Sequence, residues 1–336
     1  MKQFLHKKGI ELSLRTYFIT GLSYMALGLF SSLIIGLIMQ TAGDAAGIGW
    51  LENTGTQAMA LAGPAIGAAV AYGLKAPGLV LFAALFGGAA GYDLAGPAGA
   101  FIAAVGAVEA GKLVSGETKI DILVTPFVTI SAGAAAAAAI GPPVSALLIG
   151  IGQFVMWATE QQPFIMGIVI AAVMGLALTA PISSAAIAIM LQLDGLAAGA
   201  AAVGCAAQMV GFAVSSYREN KAAGLISLGI GTSMLQIGNI VRNPLILIPP
   251  TAAGALIGPL ATIVFLMENN PEGAGMGTSG FVGQIMTFHT MGFTQSVLWS
   301  VLLLHVVLPA VISLLLSEWM RHKGWIKAGD MKIEQA

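Results

Sequence analysis

Two short polar motifs separate long apolar segments and carry the side chains best suited to chemistry. Both have the order acid, amide, amide, proline: Glu160-Gln161-Gln162-Pro163 and Glu268-Asn269-Asn270-Pro271. A proline ends or kinks a helix and frees backbone carbonyls, here beside a carboxylate and two amides. This mixture of hydrogen-bond donors and acceptors suits a polyhydroxylated ligand, because each hydroxyl both donates and accepts. The alternative is an ordinary turn, since Asn, Pro and Gly favour turns for local reasons.

The second tetrapeptide continues into a glycine-rich stretch, residues 272–280. Glycine permits close backbone approach and hinge motion, and the amides of such a stretch can contact a ligand or a phosphate. We therefore expect Glu268 to contribute more to ligand binding than Glu160.

Three further polar residues lie in apolar surroundings, where amide and ionisable side chains are costly and often mark a binding site or a pathway. Gln236 and Asn239 are three residues apart on one helical face and either line a cavity or bridge helices. His289 lies near Thr287 and Thr290 and is either a helix-packing residue or a proton carrier. The candidate ligand-binding residues are therefore Glu160, Gln161, Gln162, Glu268, Asn269, Asn270, Gln236, Asn239 and His289.

No enzyme motif emerges from the residue pattern. The chain has no Walker loop, no HExxH and no GxSxG, and its one cysteine, Cys205, excludes an intrachain disulfide and a CxxC site. The net charge of −1, with no basic patch, gives no reason to expect nucleic-acid binding. We expect no catalytic residues, no metal and no cofactor.

The elements that position these residues are predicted to be membrane-spanning helices. Of the 336 residues, 57% are hydrophobic and only 9% charged, whereas a soluble domain carries about a quarter charged residues. Apolar runs recur, most clearly at residues 17–40, 142–157, 164–180 and 297–316, and a span needs about 20 apolar residues. Without alternating strands of a barrel, the spans must be helical. The sequence predicts an all-α polytopic membrane protein with about 10–12 transmembrane helices.

Basic residues cluster at both ends of the chain. Because Lys and Arg near spans stay cytoplasmic, we expect both termini in the cytoplasm and an even number of crossings. The residues are Lys2, Lys7, Lys8 and Arg15 before the first span, and Arg321, Lys323, Lys327 and Lys332 after the last.

The chain also contains an apparent internal duplication. Pro64 pairs with Pro181 and Leu74 with Leu191 at one spacing, Gly99 pairs with Gly224 and Gly106 with Gly231 at a second spacing, and the two tetrapeptides correspond. We predict one transmembrane domain, residues 1–336, with inverted repeats at 57–180 and 181–292 between an N-terminal span at 17–40 and a C-terminal span at 296–317. Inverted repeats with broken helices are a recurring transporter design. Re-entrant or broken segments are expected around 124–139 and 248–258.

At these motifs the sequence resembles the membrane-component (EIIC-like) family of the bacterial phosphotransferase system. The resemblance rests on the tetrapeptides, the glycine-rich stretch and the run from Arg242-Asn243-Pro244 to Pro250, and covers roughly residues 12–319. The branch that it resembles most holds the perfringolysin O regulator-like proteins. The resemblance implies a sugar permease of the bacterial cytoplasmic membrane, in which a membrane-embedded Glu, here Glu160 or Glu268, binds sugar hydroxyls with His289 as a partner.

The same resemblance implies soluble EIIA and EIIB partners and a homodimer in the lipid bilayer. The chain departs from the glucose group, because no Gly-Ile-Thr-Glu motif aligns and no phosphorylatable cytosolic domain is visible in the sequence. At most, then, the chain is the membrane component of phosphoenolpyruvate-dependent sugar phosphotransfer. A ligand-sensing regulatory protein without transport, or an ion-coupled secondary transporter, stays open.

Replacing Glu268 with Gln tests the prediction that Glu268 contributes more to ligand binding than Glu160 does. The change keeps the size of the side chain but removes its charge. Losing one charged hydrogen bond costs about 1.5–3 kcal/mol, which is roughly 10- to 150-fold in affinity. We expect that loss in sugar binding for Glu268→Gln and a smaller one for Glu160→Gln. Wild-type binding and uptake by a folded Glu268→Gln variant would mean that the tetrapeptide is only a turn.

Overall fold

A computed structural model describes residues 8–11, 13 and 15–333 of the chain. Throughout these residues the secondary structure is helical, apart from one isolated antiparallel bridge between Gly195 and Asn269. The described residues fall into two compact units, residues 1–147 and residues 148–336. The prediction of an all-α protein is confirmed.

The first unit holds four helices and the beginning of a fifth. They are α1, which joins Thr16–Gly21, Leu22–Leu29, Phe30–Ile34 and Ile35–Ala46; α2, Gly49–Ala60; α3, Ala62–Gly73; α4, Gly78–Val114; and α5, Asp121–Thr159, which continues beyond residue 147. Glycine brings α3 and α4 together, because a Cβ added at Gly63 would lie 2.7 Å from the Cβ of Tyr92. Small residues allow such close contact between membrane helices.

The second unit holds the rest of α5 and nine further helices. They are α6, Pro163–Thr179; α7, Ser184–Met190; α8, Gly195–Ser215; α9, Tyr217–Ile226; α10, Ile237–Arg242; α11, Pro244–Val264; α12, Pro271–Ala274; α13, Val282–Met291; and α14, Gln295–His322. Helix α14 contains a π-helical segment, Leu302–Val307.

Helix α8 forms the centre of the second unit. Almost all of its side chains are buried, and α6, α11 and α14 pack against it. Glycines make the contacts close: a Cβ added at Gly175 on α6 would lie 2.7 Å from the carbonyl oxygen of Gly204 on α8. Helices α6 and α11, which both pack on α8, also meet each other, since a Cβ at Gly167 would lie 2.7 Å from the carbonyl oxygen of Gly258. Alanine and glycine along α8 therefore let its neighbours approach backbone to backbone.

Six helical segments of the described residues are long and apolar enough to cross a membrane. They are Thr16–Asp44, Gly78–Val114, Asp121–Thr159, Gly195–Ser215, Pro244–Val264 and Gln295–His322, with Pro163–Thr179 a shorter apolar helix. The protein is thus a multi-pass membrane protein, and helices cover the expected first and last spans. The count is below the 10–12 that we expected, because other apolar stretches are divided by kinks into short helices.

The expected re-entrant segments look different in the structure. Residues 124–139 lie within the uninterrupted helix α5, although it contains Pro126, Pro142 and Pro143. Residues 248–258 lie within α11. A proline removes one hydrogen bond of a helix, but its neighbours keep theirs, so an apolar helix can continue with a bend.

Local backbone structure recurs at the positions that the sequence duplication pairs. After α3, the amides of Leu74, Lys75 and Ala76 donate to the carbonyls of residues 70, 72 and 71. After α7, the amides of residues 191, 192 and 193 donate to those of 187, 189 and 188, a constant shift of 117 residues (192 − 75). Lys75 and Gln192 also share a positive φ, at 57° and 48°. These helix ends favour the duplication, which stays a prediction, as does its inversion.

A second conformation recurs at the other spacing of the duplication. Gly96, inside α4, has φ 60° and ψ −150°, and Lys221, inside α9, has φ 53° and ψ −150°. The shift is 125 residues (221 − 96), the spacing that separates Gly99 from Gly224. Only glycine adopts this backbone region without strain, so Lys221 occupies a position that suits glycine.

Replacing Lys221 with Gly should therefore stabilise the protein. Such a conformation costs a non-glycine residue about 1–3 kcal/mol, which exceeds the entropic cost of glycine, roughly 0.5–1 kcal/mol. We expect a melting temperature a few degrees higher, measured in detergent with a thiol-reactive dye that reports exposure of buried Cys205.

Lys221→Ala is the matched control, because it keeps the strain and removes only the contact of the ammonium with the Tyr217 ring, 5.8 Å from its centroid. Gly96→Ala should lower the melting temperature, although a Cβ there would meet no atom within 4 Å. Equal melting temperatures for Lys221→Gly and Lys221→Ala would contradict the strain.

Candidate ligand-binding site

The first tetrapeptide connects α5 to α6 in the second unit. Pro163 is the first residue of α6, a position where its missing N–H costs nothing. Glu160 and Gln162 are exposed, and Gln161 is half-buried with its Nε2 donating to the carbonyl of Trp157 at 3.1 Å. The carboxylate of Glu160 is therefore accessible.

A cleft of about 460 Å³ lies beside this carboxylate. We call it the Glu160 cleft; its lining residues are Ile149, Gln153, Met156, Trp157, Glu160, Met190 and Leu191. Trp157 is 48% exposed, and its ring stacks on that of Phe154 with centroids 5.4 Å apart. The cleft combines one carboxylate, one amide and an indole in a mainly apolar wall, which is the usual composition of a small-molecule site.

Sequence reasoning identified Glu160 but missed Gln153 and Trp157 as its neighbours. The signal was present: residues 153, 157 and 160 are spaced by four and three, so they share one face of α5. The sequence did not show which other segment lines the cleft, because Met190 and Leu191 come from the end of α7.

The second tetrapeptide is held differently, because its first amide is fully buried. Asn269 is 0% exposed, and its Nδ2 donates to the carbonyl of Gly283 and to Oγ1 of Thr287, both at 3.0 Å. Its backbone N–H donates to the carbonyl of Gly195, and its Oδ1 accepts from the N–H of Asn270. Asn269 thus joins the starts of α8 and α13.

The neighbours of Asn269 have separate positions. Asn270 caps α12, its Oδ1 accepting from the N–H of Gly273 at 2.9 Å. Glu268 is exposed. His289 is also exposed and lies in the last turn of α13.

The glycine-rich stretch is packed against the protein rather than open to solvent. Ser184 Oγ donates to the carbonyl of Gly275 at 2.7 Å, and Ser279 Oγ donates to that of Gly231 at 2.8 Å. A Cβ at Gly277 would lie 2.6 Å from the backbone carbon of Cys205. The glycines here serve close packing on α8.

Both tetrapeptides lie at the same end of the second unit. Oγ1 of Thr262, six residues before Glu268, donates to the carbonyl of Pro163 at 2.7 Å. Between the motifs runs the segment 191–195, whose first residue lines the Glu160 cleft and whose last pairs with Asn269. The structure therefore brings the two motifs to either side of one short segment.

Gln236 and Asn239 bind the chain's own C-terminal segment. Gln236 Nε2 donates to the carbonyl of Met331, and Asn239 Nδ2 donates to that of Lys332, both at 2.9 Å. Asn220 adds a pair of bonds, to the Met331 carbonyl and from the N–H of residue 333. These amides bind a non-helical segment of the chain, whereas we expected Gln236 and Asn239 either to line a cavity or to bridge helices.

The described residues bear on two questions, whether a metal site is present and which class of protein this is. No three His, Cys, Asp or Glu side chains come together as metal ligands within the part of the chain that the structure describes. The fold defines a helical multi-pass membrane protein, and one cleft among its described residues holds a carboxylate and an aromatic ring.

Comparison with known families matches residues 19–333 to the family Phosphotransferase system, EIIC. The match spans nearly the whole chain, so the protein belongs to this family and is a membrane component of the phosphotransferase type. Neither the comparison with curated proteins nor that with solved structures finds a match. The narrower resemblance to perfringolysin O regulator-like proteins stays a prediction.

Removing the Asn269 side chain should destabilise the protein more than removing that of its neighbour. Asn269→Ala removes the two hydrogen bonds that the buried side chain donates and leaves the part-buried N–H of Asn270 without its acceptor, and an unpaired buried group costs about 1–3 kcal/mol. Asn270→Ala loses one helix cap, about 1 kcal/mol. Thermal unfolding in detergent should rank wild type above Asn270→Ala and Asn270→Ala above Asn269→Ala; the reverse order of the two variants would refute the central role of Asn269.

Proposed function

We propose that this EIIC-family protein binds and translocates a sugar or a similar polyhydroxylated molecule, with the Glu160 cleft as its ligand site. The observation that carries the proposal is the meeting of Glu160, Gln153 and Trp157 at one cleft. A carboxylate accepts hydrogen bonds and an amide both donates and accepts. The flat apolar face of an indole packs against the C–H face of a sugar ring.

The surroundings of the two glutamates favour the opposite order to the one that we expected from the sequence. Glu160 lines a cleft with an amide and an aromatic ring, whereas the amide next to Glu268 is used inside the protein. The glycines after Glu268 are packed as well. We therefore assign ligand binding first to Glu160 with Gln161 and Gln162, and place Glu268, Asn270 and His289 at the edge of the same end of the unit.

Coupling to phosphorylation is part of the proposal. Membership of the EIIC family is consistent with a sugar substrate and with EIIA and EIIB partners. We further propose residence in the bacterial cytoplasmic membrane with both termini in the cytoplasm, and assembly as a homodimer. Uptake that needs phosphoenolpyruvate and the soluble carriers would support group translocation, whereas binding without counterflow would support a sensor.

Replacing Glu160 with Gln should weaken sugar binding by about 10- to 150-fold, because one charged hydrogen bond is lost. The measurement is equilibrium binding and counterflow in proteoliposomes with a panel of radiolabelled hexoses, pentoses and hexitols. Trp157→Leu should weaken binding as well, since it removes the ring but keeps an apolar side chain.

The matched control is Glu272→Gln, which removes an exposed carboxylate from the beginning of α12 and leaves the cleft intact. It should bind as wild type does. If folded Glu160→Gln and Trp157→Leu proteins bind every effective sugar as tightly as wild type, the ligand site lies elsewhere.

A further inference from the structure

Helix α14 carries a row of buried polar side chains along the face that packs towards α8. His305, Ser313, Ser317 and Arg321 follow one another at spacings of eight, four and four residues, and each has a buried polar atom, so they lie along the buried side of the helix. At 1.5 Å per residue the row extends about 24 Å, close to the roughly 30 Å of a bilayer core. We call these four residues the α14 polar row.

Each member of the row has a polar atom with no hydrogen-bond partner among the described residues. These atoms are Nε2 of His305, Oγ of Ser313, Oγ of Ser317 and Nε of Arg321. His305 is 1% exposed and the two serines are 0% exposed. Burying a polar group without a partner is costly, and internal water commonly supplies the missing bond.

The serines of this row differ from other hydroxyl residues of the same protein. Serine in a helix commonly donates to the carbonyl four residues earlier, and Ser300, also on α14, does so to Ser296 at 2.9 Å. Ser32 bonds to Gly28 in the same way at 3.0 Å. Ser313 and Ser317 make no such bond, so their hydroxyls remain available for water.

Helix α8 and its neighbours add polar atoms opposite the row. Oε1 of Gln208 and Oγ of Ser216 are buried and also lack partners among the described residues. A Cβ at Gly211 would lie 2.6 Å from the Oγ of Ser313, so the serine faces the backbone of α8. Helices α8 and α11 contain no Asp, Glu, Lys, Arg or His, and Cys205 on α8 donates to the carbonyl of Met174.

Both ends of the row lead to other polar groups. At one end, Arg321 pairs with Glu219 at 2.9 Å, and these two residues line a cavity of about 400 Å³ with Arg218 and Lys327. At the other end, Nδ1 of His305 is 2.8 Å from Nε2 of Gln284. Gln284 is one helical turn from Thr287.

Thr287 continues this end of the row to the second tetrapeptide, because its Oγ1 accepts a hydrogen bond from Asn269. Polar groups therefore occur at intervals from the cavity at Glu219 and Arg321 to the tetrapeptide that begins at the exposed Glu268. His305 lies in the π-helical segment of α14, a distortion that is frequent at functional sites.

We propose that the α14 polar row, with Gln208 and Ser216, lines a file of internal water molecules that conducts protons between the Glu219–Arg321 cavity and the tetrapeptide at Asn269. A proton that enters at one end passes from water to water, with His305 taking one proton and releasing one. For each proton that enters, one leaves at the other end, so no group is consumed. Proton relays through His and hydroxyl side chains are a recurring use of buried polar residues in membranes.

The test is voltage-driven proton flux in proteoliposomes that hold the full chain. A potassium gradient with valinomycin sets the potential, and internal pyranine reports pH. The proton flux of wild type should be much larger than that of empty vesicles. The flux of the Ser313→Ala/Ser317→Ala double variant should be at least about tenfold lower than that of wild type. Ser300→Ala is the matched control and should retain it, because its hydroxyl is already bonded within the helix.

A second measurement tests the proposal if the double-alanine variant does not fold. Ser313→Cys and Ser317→Cys should react with silver ions, which reach thiols through narrow water-filled paths, and native Cys205 should not, because it is buried and bonded within the protein. Flux equal to that of empty vesicles, full flux in the folded double-alanine variant, or thiols at 313 and 317 as unreactive as Cys205 would each overturn the proposal. No sugar is used, so the result is independent of the proposed ligand site.

Discussion

The close packing of helices on α8 is the constraint on which the second unit depends. Lipid tails are as apolar as the side chains that face them. Close van der Waals contact between helices, rather than burial from water, therefore stabilises the association of membrane helices. Gly204 and Gly175, and Gly167 and Gly258, meet almost backbone to backbone. These contacts bring the ends of α6, α8 and α11 to one place, where the two tetrapeptides begin.

Amide side chains bind the non-helical segments of the second unit. Asn269 joins the second tetrapeptide to α8 and α13, and Gln236 and Asn239 bind the C-terminal segment. Their common role follows from burial, because buried backbone groups have no water to bond and need partners within the protein. An amide is suited to this, since it donates and accepts without a charge to desolvate.

Polar groups that this framework leaves without partners are the ones most informative about function. Glu160 is exposed at a cleft with an amide and an indole, and the α14 polar row is buried with polar atoms unbonded. The first arrangement fits a ligand that enters from solvent, and the second fits water inside the unit. The two proposals, a sugar site at Glu160 and a water file along α14, therefore concern neighbouring parts of the same unit of this EIIC-family protein.

The sequence by itself determined the class of protein, because 57% hydrophobic and 9% charged residues exclude a soluble surface, and it correctly indicated the family. It also located both tetrapeptides and predicted a duplication, at whose two spacings Lys75 and Gln192, and Gly96 and Lys221, share unusual backbone angles. What it could not separate was Glu160 from Glu268, or a ligand amide from a structural one. The tertiary structure decided only their surroundings: it places Asn269 against Gly283 and Gly195, which no local pattern specifies, and the assignment of ligand binding to Glu160 stays a proposal. The position of Trp157 and Leu191 at one cleft likewise depends on tertiary structure, because they meet only when α5 and α7 pack together. No local pattern specifies that the serines of α14 face α8.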